Sequence, residues 1–143
     1  MLFGRRERTI LRILLVEDEP LVAFDNEHLL SAAGYDVVAT VDNLADAARV
    51  IREEDGIDLV LTDVTLNGDG NGMDVARAAG AKGVPVLFVT GTCPAEAQTL
   101  AVGCLAKPYT EKTMKAALEA LDRKLQGEKV KKLPAGLSLY EQV

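Results

Sequence analysis

The first apolar run of the chain, residues 10–16, stops abruptly at Glu17, Asp18, Glu19 and Pro20. A short apolar run bounded in this way reads as a buried strand. Pro20 suits the first turn of a helix, where its missing N–H does no harm. Beyond it Val22, Leu29, Leu30 and Ala33 share one helical face, which Gly34 closes. The alternation then repeats. A strand is predicted over 35–41, and Asp42 or Asn43 caps a helix in which Leu44, Ala47, Ala48 and Ile51 recur at helical spacing. Gly56 breaks that helix and a strand over 57–62 follows. A loop of Gly and Asn leads into a short helix over 73–79, and 84–90 is again an apolar strand. Pro94 starts a short helix to about 100, and 104–106 is a brief strand. Thr110 caps a last helix, with Met114, Leu118, Leu121 and Leu125 as its apolar stripe.

Five strands alternating with five helices predict an α/β fold, a doubly wound parallel sheet covered by helices on both faces. The division is an extension over 1–9, a domain over 10–125 and a tail over 126–143. The tail loses the periodicity, carries Lys129, Lys131 and Lys132, and then reads LPAGLSLY.

Composition narrows the chemistry. At 143 residues and 48% apolar, the chain has the size and composition of one globular domain. A net charge of −6 argues against nucleic acid as a partner. Few aromatic residues are available for base stacking. The arginines near the start are followed by a run that Arg12 and then Glu17 interrupt, so no secretory signal is expected. No stretch approaches the roughly 18 apolar residues of a membrane span. Cys93 and Cys104 lack metal-ligand spacing and stand with a single histidine, which fits a reducing cytosol and no zinc site. Cys104 reads as a small buried core residue, and no neighbour in sequence activates either thiol for redox chemistry. His28 reads as a surface or boundary residue of its helix.

"LVLTDVTLNG" then stands out: a core strand runs straight into Asp63. In an open parallel sheet, ligands bind outside the carboxyl ends of the strands. Those ends carry Glu17 and Asp18 on the first strand, Asp63 on the third, Thr90 on the fourth and Lys107 on the fifth. Clustered carboxylates repel unless a cation neutralises them. Hard oxygen donors without imidazole or thiolate favour Mg²⁺. A carboxylate nucleophile beside a divalent metal, with a hydroxyl and an ammonium as donors, suits phosphoryl transfer.

At these residues the chain resembles the receiver domain of two-component response regulators. The resemblance rests on "LLVEDEP", "LVLTDVTL", "LFVTGT" and "LAKPY", in that order on alternating elements. "FVTG" also resembles part of the Phe-Ala-Thr-Gly signature of one receiver subgroup. The resemblance implies a CheY-like five-stranded sheet in the order 2-1-3-4-5. It implies that Asp63 accepts a phosphoryl group from a phosphohistidine on a sensor histidine kinase or histidine phosphotransfer protein. Asp18, Asp63 and the carbonyl of Thr65 would hold Mg²⁺, with Glu17 acting mostly through water. Thr90 and Lys107 would hold the phosphoryl oxygens, and the Lys107–Pro108 bond would be cis. Output would be protein contact, or removal of phosphate from a kinase, in the cytoplasm.

The chain departs from the family pattern in three places. The family's aromatic switch position, three residues before the lysine, is Cys104. Lys107 follows Thr90 by only 17 positions, so the fourth helix must be stunted or partly irregular. The 18-residue tail is not expected to form an effector domain, as in a stand-alone receiver. The other readings are a phosphate-independent adaptor on the same fold and a receiver that no longer takes phosphate. A Mg²⁺-dependent aspartyl-phosphate hydrolase would carry a second Asp two residues after the nucleophile, where Thr65 stands. The apolar tail is expected to fold over the face formed by helix 4, strand 5 and helix 5, or to serve as a partner or dimer arm.

Overall fold

The computed structural model describes residues 7–141. Its elements alternate as β1 (Arg12–Val16), α1 (Pro20–Ala32), β2 (Asp36–Val41), α2 (Leu44–Glu53), β3 (Leu59–Thr62) and α3 (Gly72–Ala81). They continue as β4 (Val86–Thr90), α4 (Ala97–Leu100), β5 (Gly103–Ala106), α5 (Glu111–Leu125) and β6 (Leu137–Leu139). The sheet runs β2-β1-β3-β4-β5-β6, and every pairing from β2 to β5 is parallel. The predicted order of the first five strands therefore holds. A sixth strand is added at the edge, antiparallel to β5, with Cys104 opposite Ser138.

Because both faces of a parallel sheet are covered, its central strands are apolar on both sides. β3 and β4 are buried at every position. One core joins Ile13, Leu15, Leu61 and Leu87 to Leu30 of α1 and to Met114, Leu118 and Leu121 of α5. On the other face Leu14, Val60 and Phe88 pack on α2 and α3, with Cys104 from β5.

Local chemistry sets the helix starts. Pro20 opens α1. The Asn43 side chain accepts the Asp46 N–H at the start of α2, and Thr110 accepts the Thr113 N–H at the start of α5. Asn71 and Asp74 form a reciprocal capping box on α3. The expected stunting of the fourth helix is found, since α4 is a single turn of 4 residues.

Both ends of the domain are tied down. Thr9 donates its N–H at 3.1 Å to Asp122 on α5, and its hydroxyl also bonds that carboxylate. Arg8 donates to the Ala33 carbonyl and lies over the Tyr35 ring at 4.4 Å. The predicted extension thus docks at residues 8 and 9, while 1–6 lie outside the described residues. At the other end Leu137 is buried in the first core and Tyr140 packs on the second. Gly103 permits this approach, because a Cβ there would lie 2.8 Å from the Ser138 carbonyl oxygen. The tail, expected to cover the face of α4, β5 and α5, does so by pairing β6 along the open edge of β5, with Leu137 in the core that holds Met114 and Leu118 of α5 and Tyr140 against the core that holds Ala97 of α4.

Candidate functional site

The parallel arrangement delivers the ends of β1, β3, β4 and β5 to one rim. Register fixes the spacing, with Val16 opposite Thr62 and Thr90 opposite Ala106. The chain leaving each strand is pinned to a neighbour. The Glu17 N–H donates to the Val41 carbonyl, Asp63 to Val16 and Lys107 to Thr90, at 2.9, 3.1 and 2.7 Å.

On this rim Glu17, Asp18 and Asp63 each offer a carboxylate oxygen, and the three oxygens lie within 4.8 Å of one another. Lys107 closes the group. Its Nζ donates to Asp63 Oδ2 at 2.8 Å and to Glu17 Oε1 at 3.4 Å. The Thr65 N–H donates to Asp63 Oδ1 at 3.3 Å. Thr90 is nearly buried at the end of β4. The predicted Glu17, Asp18, Asp63, Thr65 and Lys107 are therefore neighbours, and Thr90 joins the rim through its backbone bond to Lys107.

Electrostatics set the protonation. Burial pushes the Glu17 carboxyl up, against the lowering effects of the Glu19 N–H and of Lys107, while the Asp63 charge pushes the same way as burial. Burial alone would lower the Lys107 ammonium, but its hydrogen bond to Asp63 and the charges of Asp63 and Glu17 outweigh it. The net shift of Lys107 is upward, so it stays a cation.

Three carboxylates against one ammonium leave a formal surplus of two negative charges. A hard divalent ion matches both the charge and the all-oxygen donor set. The residues present therefore fit Mg²⁺.

Sequence reading missed several supporting residues. A Cβ on Gly72 would fall 2.0 Å from the Asp63 carbonyl oxygen, so the first residue of α3 must be glycine for Asp63 to sit where it does. Asn71 and Asp74 hold that helix start, and their N-x-x-D spacing was a readable signal. The Tyr109 hydroxyl donates at 2.8 Å to Asn26, itself nearly buried in α1, which fastens the turn after Lys107.

The cysteine reading needs correction. Cys104 is fully buried as predicted, but Cys93 and Cys104 are joined in a disulfide. They are 11 positions apart in sequence, and α4 is short enough to bring the chain back so that their Cα atoms lie 6.1 Å apart. His28 is exposed on α1, as expected. The Lys107–Pro108 bond is cis, as the resemblance implied. No helix among the described residues is long and apolar enough to cross a membrane.

A doubly wound sheet with carboxylates from β1 and β3, a threonine on β4 and a lysine after β5 defines a phosphorylation-type signalling domain. The sequence model of the response regulator receiver domain matches residues 13–119, and the chain belongs to that family. It is 33% identical over 79 residues to the phyllosphere-induced regulator PhyR of Methylorubrum extorquens, a match covering 54% of this chain and 30% of PhyR. A response regulator receiver protein from Sinorhizobium medicae superposes with a TM-score of 0.69 at 29% identity, covering 78% of this chain and 93% of that one. The signal receiver domain of a modulated diguanylate cyclase from Desulfovibrio desulfuricans gives 0.70 at 29% identity, covering 82% and 98%. A CheY-like receiver domain from Methanospirillum hungatei, at 23% identity and a TM-score of 0.69, shares the fold over 83% of this chain and 99% of its own.

Proposed function

We propose that Asp63 is the phosphoacceptor of this receiver, taking a phosphoryl group from a phosphohistidine on a sensor kinase or phosphotransfer protein. The observation that carries this is the convergence of Glu17, Asp18 and Asp63 within 4.8 Å around an Asp63 carboxylate held by Lys107. In the transfer, the N–P bond of the phosphohistidine breaks and an Asp63 Oδ–P bond forms, and the imidazole keeps the electron pair. Lys107 orients Asp63 beforehand and then offsets charge on the phosphoryl oxygens. Thr90 donates its hydroxyl to one of those oxygens. Asp18, Asp63 and the Thr65 carbonyl would hold Mg²⁺, with Glu17 acting through water. When bound, the ion neutralises the charge that would otherwise repel an incoming phosphate. Asp63 works by position and charge rather than as a turnover enzyme, so the output is a protein contact or a drain on kinase phosphate. This reading implies a cytoplasmic protein.

The test is labelling by acetyl phosphate with and without Mg²⁺, read by intact mass. Wild type should gain one Mg²⁺-dependent phosphoryl group and Asp63→Asn none. An unmodified wild type with normal folding would favour the phosphate-independent adaptor instead.

A further inference from the structure

The disulfide lies where movement of the rim would have to pass. Cys93 is three residues beyond Thr90, and Cys104 is three residues before Lys107. The bond therefore spans the segment leaving β4 and the whole of α4. Otherwise that segment is loosely held. Among the described residues, the hydrogen bonds of residues 91–96 stay within the segment and α4: the Ala97, Gln98 and Thr99 N–H groups donate to the carbonyls of Pro94, Ala95 and Glu96. Residues 91 and 92, and again 95 and 96, are exposed. Apart from the packing of Ala97 and Cys93 in the second core, the covalent bond ties this segment to β5.

The two sulfurs differ in access. Cys104 is fully buried in the core between the sheet, α2 and α3. Cys93 is half-exposed. Cys93 is therefore the more accessible end of the bond.

We propose that Cys93–Cys104 is a site of reversible thiol–disulfide exchange with a dithiol reductant, the bond pinning the β4–α4 segment to β5 and its reduction releasing that segment. A reductant thiolate attacks Cys93 Sγ, the Sγ–Sγ bond breaks, and Cys104 leaves and takes a proton in its apolar surroundings. The reductant's second thiol then displaces Cys93. The protein gains two electrons and two protons, and the reductant becomes a cyclic disulfide. Oxidation runs the same exchange backwards with a small disulfide such as oxidised glutathione. For a receiver, the consequence is control of Thr90, and that clause rests on the phosphoacceptor reading above. With the bond intact, the backbone after Thr90 is held; once reduced, it is free to follow a phosphoryl group on Asp63.

Native protein is equilibrated in glutathione buffers of stepped potential, and alkylation counts the free thiols. Hydrogen exchange is then read on peptides covering 91–100. Reduction should speed exchange there by about tenfold or more, with β1 and α5 unchanged. Cys93→Ser, altered at its half-exposed end, should exchange like the reduced protein in every buffer. A bond that yields only on unfolding, thiols that never pair in oxidising buffer, or equal exchange in both states would each overturn the proposal. Acetyl phosphate labelling in both states forms a separate arm. Faster labelling when reduced supports the link to Thr90, and equal labelling removes it. A protein that labels in neither state defeats the phosphoacceptor reading while leaving the exchange result standing.

Discussion

The ammonium of Lys107 lies 2.8 Å from Asp63 Oδ2 and 3.4 Å from Glu17 Oε1, so one cation bridges the ends of β1 and β3. This makes Lys107 a competitor of any metal and, on the proposed phosphoacceptor reading, the cation for a phosphoryl group. Lys107→Met removes the charge and keeps most of the apolar stem. The vacated carboxylates should then bind Mg²⁺ more tightly, by about tenfold for a lost charge at the protein surface. Acetyl phosphate labelling should fall by about a hundredfold, because the phosphoryl oxygens lose their cation. Calorimetric Mg²⁺ titration beside a labelling time course checks both. Weaker metal binding in the variant would contradict the shared-charge description.

The rim was readable because each of its residues ends an apolar run and alternating runs dictate a parallel sheet, while the strand order that brings those ends together came from the resemblance to receiver domains. Asp63 could be placed from "LVLT" alone, and Thr90 and Lys107 likewise. The Cys93–Cys104 bond could not, since it depends on how sharply the chain turns through α4, and a single turn leaves almost no periodic signal. β6 was hidden for a related reason. Three residues of alternating LSL after a polar linker have no pattern distinguishable from a tail. Asp122 was also silent, because its partners Thr9 and Ile10 lie more than 110 positions away.

Asp122 gives a pH prediction. Burial would raise its carboxyl, but hydrogen bonds from Thr9, Gln126 and the Ile10 backbone outweigh this and hold it below its ordinary 3.8. A carboxylate lowered by folding contributes stability that is complete above the unfolded value and disappears as pH falls through the folded one. Asp122→Asn should therefore cost about 1–3 kcal/mol at pH 7 and the same at pH 6, since it weakens a set of charge-assisted bonds to a nearly buried group. The gap should narrow only below about pH 4. Urea unfolding of both proteins across that range reads it, and a gap that widens on acidification would refute the assignment.

Phe24 is 69% exposed on α1 and Leu21 is 80% exposed. Phe24 lines an open groove that continues through Asn26 and Leu29 to Lys107 and Tyr109. A phosphohistidine protein must lay a surface near Asp63, whereas acetyl phosphate need not. Phe24→Ala should slow transfer from a cognate protein donor by about tenfold, the scale of losing one apolar anchor, and leave acetyl phosphate labelling unchanged. Equal rates with the protein donor would move the docking surface elsewhere.

The last prediction concerns the edge that β6 completes. Gly103 faces Ser138 and Leu139, and a Cβ there would approach the Ser138 carbonyl oxygen to 2.8 Å and Leu139 Cδ2 to 3.1 Å. Backbone cannot yield at one contact without shifting the whole short strand. Gly103→Val should therefore detach β6 and withdraw Leu137, a loss of about 1.5–3 kcal/mol for one buried leucine. The freed β5 edge would expose unpaired backbone groups, which readily recruit another strand. Amide protection at 137–139 should disappear, and sedimentation should show self-association growing with concentration. Deleting residues 137–143 should reproduce the self-association without touching β5. Truncated protein that stays monomeric and as stable as wild type would mean that β6 covers nothing the domain needs covered.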